Sequence, residues 1–160
     1  MTQDEKSKSR SITTNYDLAL AKLQKYCVYQ DRCHSEARTK LLKLKVYGDD
    51  LENVMSELIQ EDFLNEERFA RSFVRGKYRM KKWGRDKIRM ELKKKSISAY
   101  CIKKGMEEIE EDTYMSNAEN LHTQYVEKYV KDTDYINGQK IYAALRRKGY
   151  THEEIMSFRG

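Results

Sequence analysis

Hydrophobic residues return every three or four positions along most of this chain, so that they fall on one side of successive helical turns. The first stripe is Tyr16, Leu20, Leu23 and Cys27, with Asn15 placed to cap the helix that carries it. Ala37, Leu41 and Leu44 give an inner face to a helix over Glu36–Leu44, and the next helix opens near Gly48 and Asp49 with Leu51, Met55, Leu58 and Ile59 inward. Asn65 is the following N-cap: Glu66 and Glu67 come next, at the positive end of the dipole, and Phe69, Phe73 and Val74 form the buried side. Further helices are predicted over Asp86–Lys94, from Ser98 with Ile102, Met106 and Ile109 inward, around Ala118, Leu121, Tyr125 and Val126, and over Gln139–Arg147. After Gly149, Thr151 and Glu154 have the spacing of a capping box and open a last helix.

The stripes also repeat at long range. Laying Lys87 on Lys140 pairs Ile88 with Ile141, Leu92 with Leu145, Lys95 with Lys148 and Ile102 with Ile155, five identities in sixteen positions at a constant offset of 53. At an offset of 51, Ala37, Leu41, Lys43, Val46, Leu51, Met55 and Leu58 fall on Ile88, Leu92, Lys94, Ile97, Ile102, Met106 and Ile109. Three copies in one frame predict a tandem repeat of three-helix units, each too small to bury its own stripe, so that neighbours stack into an elongated, curved helical rod. The expected organisation is a disordered polar tail over 1–14, a helix over 15–33, repeats over 34–82 and 83–135, and a truncated repeat over 136–160.

Composition supports this class. There is no proline and there are only seven glycines, so the chain lacks the punctuation of hairpins and sandwiches, and the fold class is all-α. Of its 160 residues 39% are apolar and 36% charged, which suits an elongated body better than a sphere. No apolar run approaches the roughly 18 residues that span a bilayer, and the opening MTQDEKSKSR has no apolar core, so the expectation is a soluble, cytoplasmic monomer. Three cysteines, Cys27, Cys33 and Cys101, form no disulfide pattern and fit a reducing compartment.

Charge narrows the functional classes. The chain is +6 as a whole, but Arg71–Lys95 holds twelve basic residues against Asp86 and Glu91, a window of +10. The balancing acids cluster at Glu107, Glu108, Glu110, Glu111 and Asp112 and around Glu57–Glu67, so the field is expected to be polarised. The candidate contact residues are Arg75, Lys77, Arg79, Lys81, Lys82, Trp83, Arg85 and Lys87, joined by Arg146, Arg147 and Lys148. Cations around Tyr78 and Trp83 fit three roles: tracking phosphates and stacking a base, matching an acidic protein surface, or a solvated face with Trp83 in an interhelix seam. No glycine-rich phosphate loop, H-E-x-x-H or G-x-S-x-G is present, so no catalytic residue, cofactor or metal site is expected. The cluster of Cys27, Cys33 and His34 lacks the close cysteine pair of a zinc grip, and His34 is read as starting a helix.

The segments RCHSEARTKL, FLNEERFARSFV, WGRDKIRMELKKKSIS and ALRRKGYTHEEI, in that order, resemble the RecX regulatory proteins of bacteria over about Leu18–Phe158. Two positions depart from that pattern: the paired aspartates before R-F-A read Asn65 with Glu66 or Glu67, and the glycine of K-G-I is Ser96. The resemblance implies a non-enzymatic regulator, of inhibitory sign, of the RecA recombinase. It would lodge in the groove of the RecA filament on single-stranded DNA and so modulate recombination, repair and the damage response. The residues alone leave two other readings open, a free-standing DNA-binding protein and a helical scaffold for an acidic protein partner.

Overall fold

The computed structural model describes residues 14–129 and 134–158, with the side chains of 134–137 left aside; of the tail expected over 1–14, residues 1–13 lie outside the described residues and Thr14 is ordered as a helix cap. Among the described residues there are nine helices and no strand: α1 Asn15–Tyr29, α2 His34–Lys43, α3 Gly48–Gln60, α4 Glu66–Met80, α5 Arg85–Lys94, α6 Ala99–Met106, α7 Glu111–Lys128, α8 Asp134–Lys148 and α9 His152–Phe158. None of them is long and apolar enough to cross a membrane.

Local chemistry explains where they start. Thr14, rather than Asn15, caps α1: its hydroxyl accepts from the Asp17 N–H at 3.1 Å while the Asp17 carboxylate accepts from the Thr14 N–H at 3.3 Å, and Asn15 becomes the first helical residue. Ser98 caps α6 through the Cys101 N–H at 3.2 Å. Thr151 and Glu154 form the expected reciprocal box at α9, at 2.8 and 3.1 Å. His34 does open α2, and buried Cys33 precedes it as the cap residue, its thiol pushed up by burial. Among the described residues no group of three or more His, Cys, Asp or Glu side chains could hold a metal ion.

The chain divides into two compact units between Glu66 and Glu67. In the first, α1, α2 and α3 share one core built on Ala19, Leu23, Cys27, Ala37, Leu41 and Leu58. Val54 is fully buried there, whereas Ile59, expected inward, is 44% exposed because it sits one step past the inner stripe. The second unit holds α4 to α9. Here Gly105 on α6 meets α4 so closely that an added Cβ would lie 2.9 Å from the Ala70 carbonyl oxygen. Buried Asn117 on α7 donates to the Tyr78 carbonyl, one of the last in α4, at 2.9 Å. This division falls at the start of α4, whereas the expected repeats began at 34, 83 and 136.

The repeat has a backbone signature. Lys45, Ser96 and Gly149 occupy equivalent positions and all have positive φ, at 64°, 61° and 104°. After each, the next N–H reaches back to the equivalent leucine carbonyl: Val46 to Leu41, Ile97 to Leu92 and Tyr150 to Leu145, at 3.0 to 3.2 Å. These are left-handed helix ends of the Schellman kind. The three leucines are themselves fully buried, so one column serves as both core and helix stop.

Candidate binding face

The basic window lies in the second unit, on α4, the turn after it, and α5. Lys82, at φ 57°, turns the chain out of α4 so that the Trp83 N–H can donate to the Lys77 carbonyl at 3.1 Å. The turn places Trp83 edge-on to Phe73, with ring centroids 6.3 Å apart, and Phe73 stacks on Phe69 at 5.8 Å. Lysines straddle this ladder. The Lys77 ammonium lies 4.8 Å from the Trp83 ring centre and 5.3 Å from that of Phe73, and Lys87 approaches Trp83 to 4.4 Å. At such distances each pair gains about 0.5 to 1 kcal/mol, which holds the cations in place without neutralising them.

The arginines are differently employed. Arg71 binds Glu108 at 3.0 Å and approaches Glu107 and Glu67, and Arg75 meets Glu108 at 3.3 Å. The Arg71 hydrogen bond holds the Glu108 carboxyl below the usual range. Arg79 donates to the Tyr78 hydroxyl at 3.0 Å. Arg85 is the most committed: it pairs with Glu154 at 2.6 Å and with Glu111, and its guanidinium lies 4.1 Å over the Tyr114 ring. Tyr114 in turn accepts from the Arg85 N–H and donates to Glu154, each at 2.9 Å, and burial lifts its hydroxyl well above the ordinary tyrosine range. Arg85, one of the candidate contact residues, is therefore only 22% exposed and ties α5 to α7 and α9. Glu107, Glu108 and Glu111 are counter-ions of Arg71, Arg75 and Arg85. The cations those pairs leave on this face include exposed Arg79, Lys81 and Lys82 and half-buried Lys77 and Lys87.

The C-terminal group is brought to the same place. The Gly84 N–H donates to the Lys148 carbonyl at 2.7 Å and the Asp86 N–H to the Gly149 carbonyl at 2.9 Å, so the start of α5 is seated on the end of α8. Only glycine fits that contact: a Cβ on Gly84 would come within 2.2 Å of Gly149 backbone atoms. Tyr150 is fully buried and donates to the Lys82 carbonyl at 2.7 Å, and Lys148 donates to that of Lys81 at 3.3 Å. Arg146 binds Asp86 at 2.9 Å and the Tyr150 carbonyl at 2.7 Å. The two copies of the repeated motif are thus docked on one another.

Beside the dock a cleft of about 260 Å³ is lined by Lys87, Lys128, Arg147 and Lys148 with Tyr125, Tyr129 and Ala144. Lys87, Arg147 and Lys148 were expected as contact residues. Tyr125, Lys128 and Tyr129 were not, although their spacing of three and four gathers them on one side of the end of α7, whose C-cap is Tyr129. Four cations and two phenols around an open cleft can accept an anion and cover an aromatic or apolar group.

Residues 65–106, which contain α4, α5 and α6, match the model of the second three-helix domain of RecX. A regulatory protein RecX from Bacillus cytotoxicus is 27% identical over 147 residues, covering 91% of this chain and 54% of its own length. One from Lactobacillus gasseri is 27% identical over 128 residues, covering 80% and 47%. The chain therefore spans about half the length of the curated relatives it matches. The crystal structure of RecX from Lactobacillus salivarius superposes with a TM-score of 0.80 at 22% identity, covering 90% of this chain and 94% of that one. A second crystal structure of a regulatory protein RecX gives 0.84 at 18% identity over 99% and 78%.

Proposed function

This chain belongs to the RecX family, and we propose that it is a non-enzymatic regulator, of inhibitory sign, of the RecA recombinase that binds in the groove of the RecA filament on single-stranded DNA. The observation that carries the reading is the lysine face around Trp83. Lys77 and Lys87 are held by aromatic rings, Lys81 and Lys82 are exposed beside them, and the face sits inside the segment that matches the family domain. A filament groove presents phosphates and acidic protein groups together, and such a face can meet both. Regulation then needs no chemistry, only a higher affinity for a filament state that does not extend or exchange strands. The setting is the cytoplasm.

The test is co-sedimentation with RecA filaments assembled on single-stranded DNA, beside RecA without DNA and DNA without RecA. Retention on filaments well above both controls is the expected result. Equal retention on bare DNA would make this a free-standing DNA-binding protein, and retention on neither, with capture of an acidic protein, a helical scaffold.

A further inference from the structure

We propose that the first unit carries a second site, for single-stranded nucleic acid, formed by Lys22, Lys25, Tyr26, Tyr29, Arg32 and Lys40. Lys22, Lys25, Tyr26 and Tyr29 stand at positions i, i+3, i+4 and i+7 of α1 and so share one face, while Ala19, Leu23 and Cys27 turn into the core. Arg32 from the link to α2 and Lys40 from α2 complete a concavity of about 330 Å³ whose walls are four cations and two tyrosines, with no carboxylate. Like charges gathered in this way repel until an anion joins them. Here they are also held in position: the Arg32 guanidinium lies 3.7 Å over the Tyr26 ring and donates to the Tyr26 carbonyl at 3.1 Å, and the Lys40 ammonium is 5.5 Å from the same ring.

The ligand class follows from what adjoins the cations. An apolar cleft of about 560 Å³, lined by Ala21, Gln24, Val28 and Phe63, shares Lys25 and Tyr29 with the cationic one. At the junction Tyr29 is 83% exposed and Val28 74%, which core packing does not explain. A ligand that satisfies both sides must carry repeated anions joined to flat, weakly polar rings. Single-stranded nucleic acid does so, with phosphates on the cations and unstacked bases on Tyr29 and the apolar cleft. A duplex hides its base faces, and an acidic peptide brings charge without plates to stack. The site uses only the first unit and needs no RecA, so it stands apart from the function proposed above.

The experiment uses the full chain and a fluorescein-labelled oligodeoxythymidylate, with no RecA present. Lys22→Glu with Lys25→Glu is expected to weaken binding at least tenfold and to flatten its salt dependence, because fewer counterions are released. Tyr29→Ala, at an exposed position, is expected to weaken it about 5- to 100-fold with the salt slope unchanged, the effect of one lost base stack. A bromodeoxyuridine oligonucleotide locates the contact, and its photo-crosslinks should fall on Tyr26 or Tyr29. The proposal is overturned if the parent chain does not bind the oligonucleotide at low salt, if folded variants bind like the parent, or if crosslinks fall only within 67–160. It also falls if polyglutamate displaces the oligonucleotide as effectively as unlabelled oligonucleotide does, which would assign the face to an acidic protein.

Discussion

The turns that end α5 and α8 make the same reach-back hydrogen bond, yet one is built on Ser96 and the other on Gly149. Ser96 is exposed, so a side chain at positive φ meets only water and the cost is conformational, about 1 to 2 kcal/mol. Gly149 is buried under the start of α5, and a Cβ there would lie 2.4 Å from the Cβ of Lys87 and 2.9 Å from the Gly84 carbonyl oxygen. A left-handed helix end tolerates serine. A left-handed helix end with another helix seated on it does not. The comparison separates two roles that the repeated motif joins, stopping a helix and docking the other copy.

The largest effect that would test this difference is at Gly149. Gly149→Ala combines a strained φ with a backbone clash and is expected to cost about 4 kcal/mol in urea unfolding. A loss no larger than that of Ser96→Ala would mean that docking does not select glycine. Next come Leu92→Ala and Leu145→Ala, which remove the same fully buried residue from the two turns and should each cost about 2 to 5 kcal/mol. Cost at one and not the other would break the equivalence of the copies. The smallest effect has the opposite sign: Ser96→Gly relieves the positive φ and should stabilise the chain by about 1 kcal/mol. Destabilisation there would show that the serine side chain contributes something beyond its backbone.

What the sequence disclosed and what it concealed divide by distance along the chain. The leucine column, the caps at Ser98 and Thr151 and the helical class depend on neighbours three to five residues apart, and all are visible as spacing. Ile59 was misplaced because a stripe two residues wide leaves its edge position undecided until α1 and α2 are packed against it. The sorting of the basic window was out of reach for a stronger reason. Arg71 meets Glu108 across 37 positions and Arg85 meets Glu154 across 69, so a charge count records +10 where the folded face presents mainly lysines. The cleft lined by Tyr125, Lys128 and Tyr129 likewise exists only once α7 and α8 are side by side.

The central claim is that the lysines around Trp83, and not the arginines paired behind them, meet the RecA filament. It is tested most directly by titrating RecA filaments on single-stranded DNA with the chain bearing Lys81→Glu, Lys82→Glu and Lys87→Glu, and leaving Arg85 in its ion pairs. Binding at least tenfold weaker is expected, about 1.4 kcal/mol, with folding stability lowered by no more than the lost Lys87–Trp83 contact, about 1 kcal/mol. A triple variant that remains folded and binds the filament as tightly as the parent would contradict it.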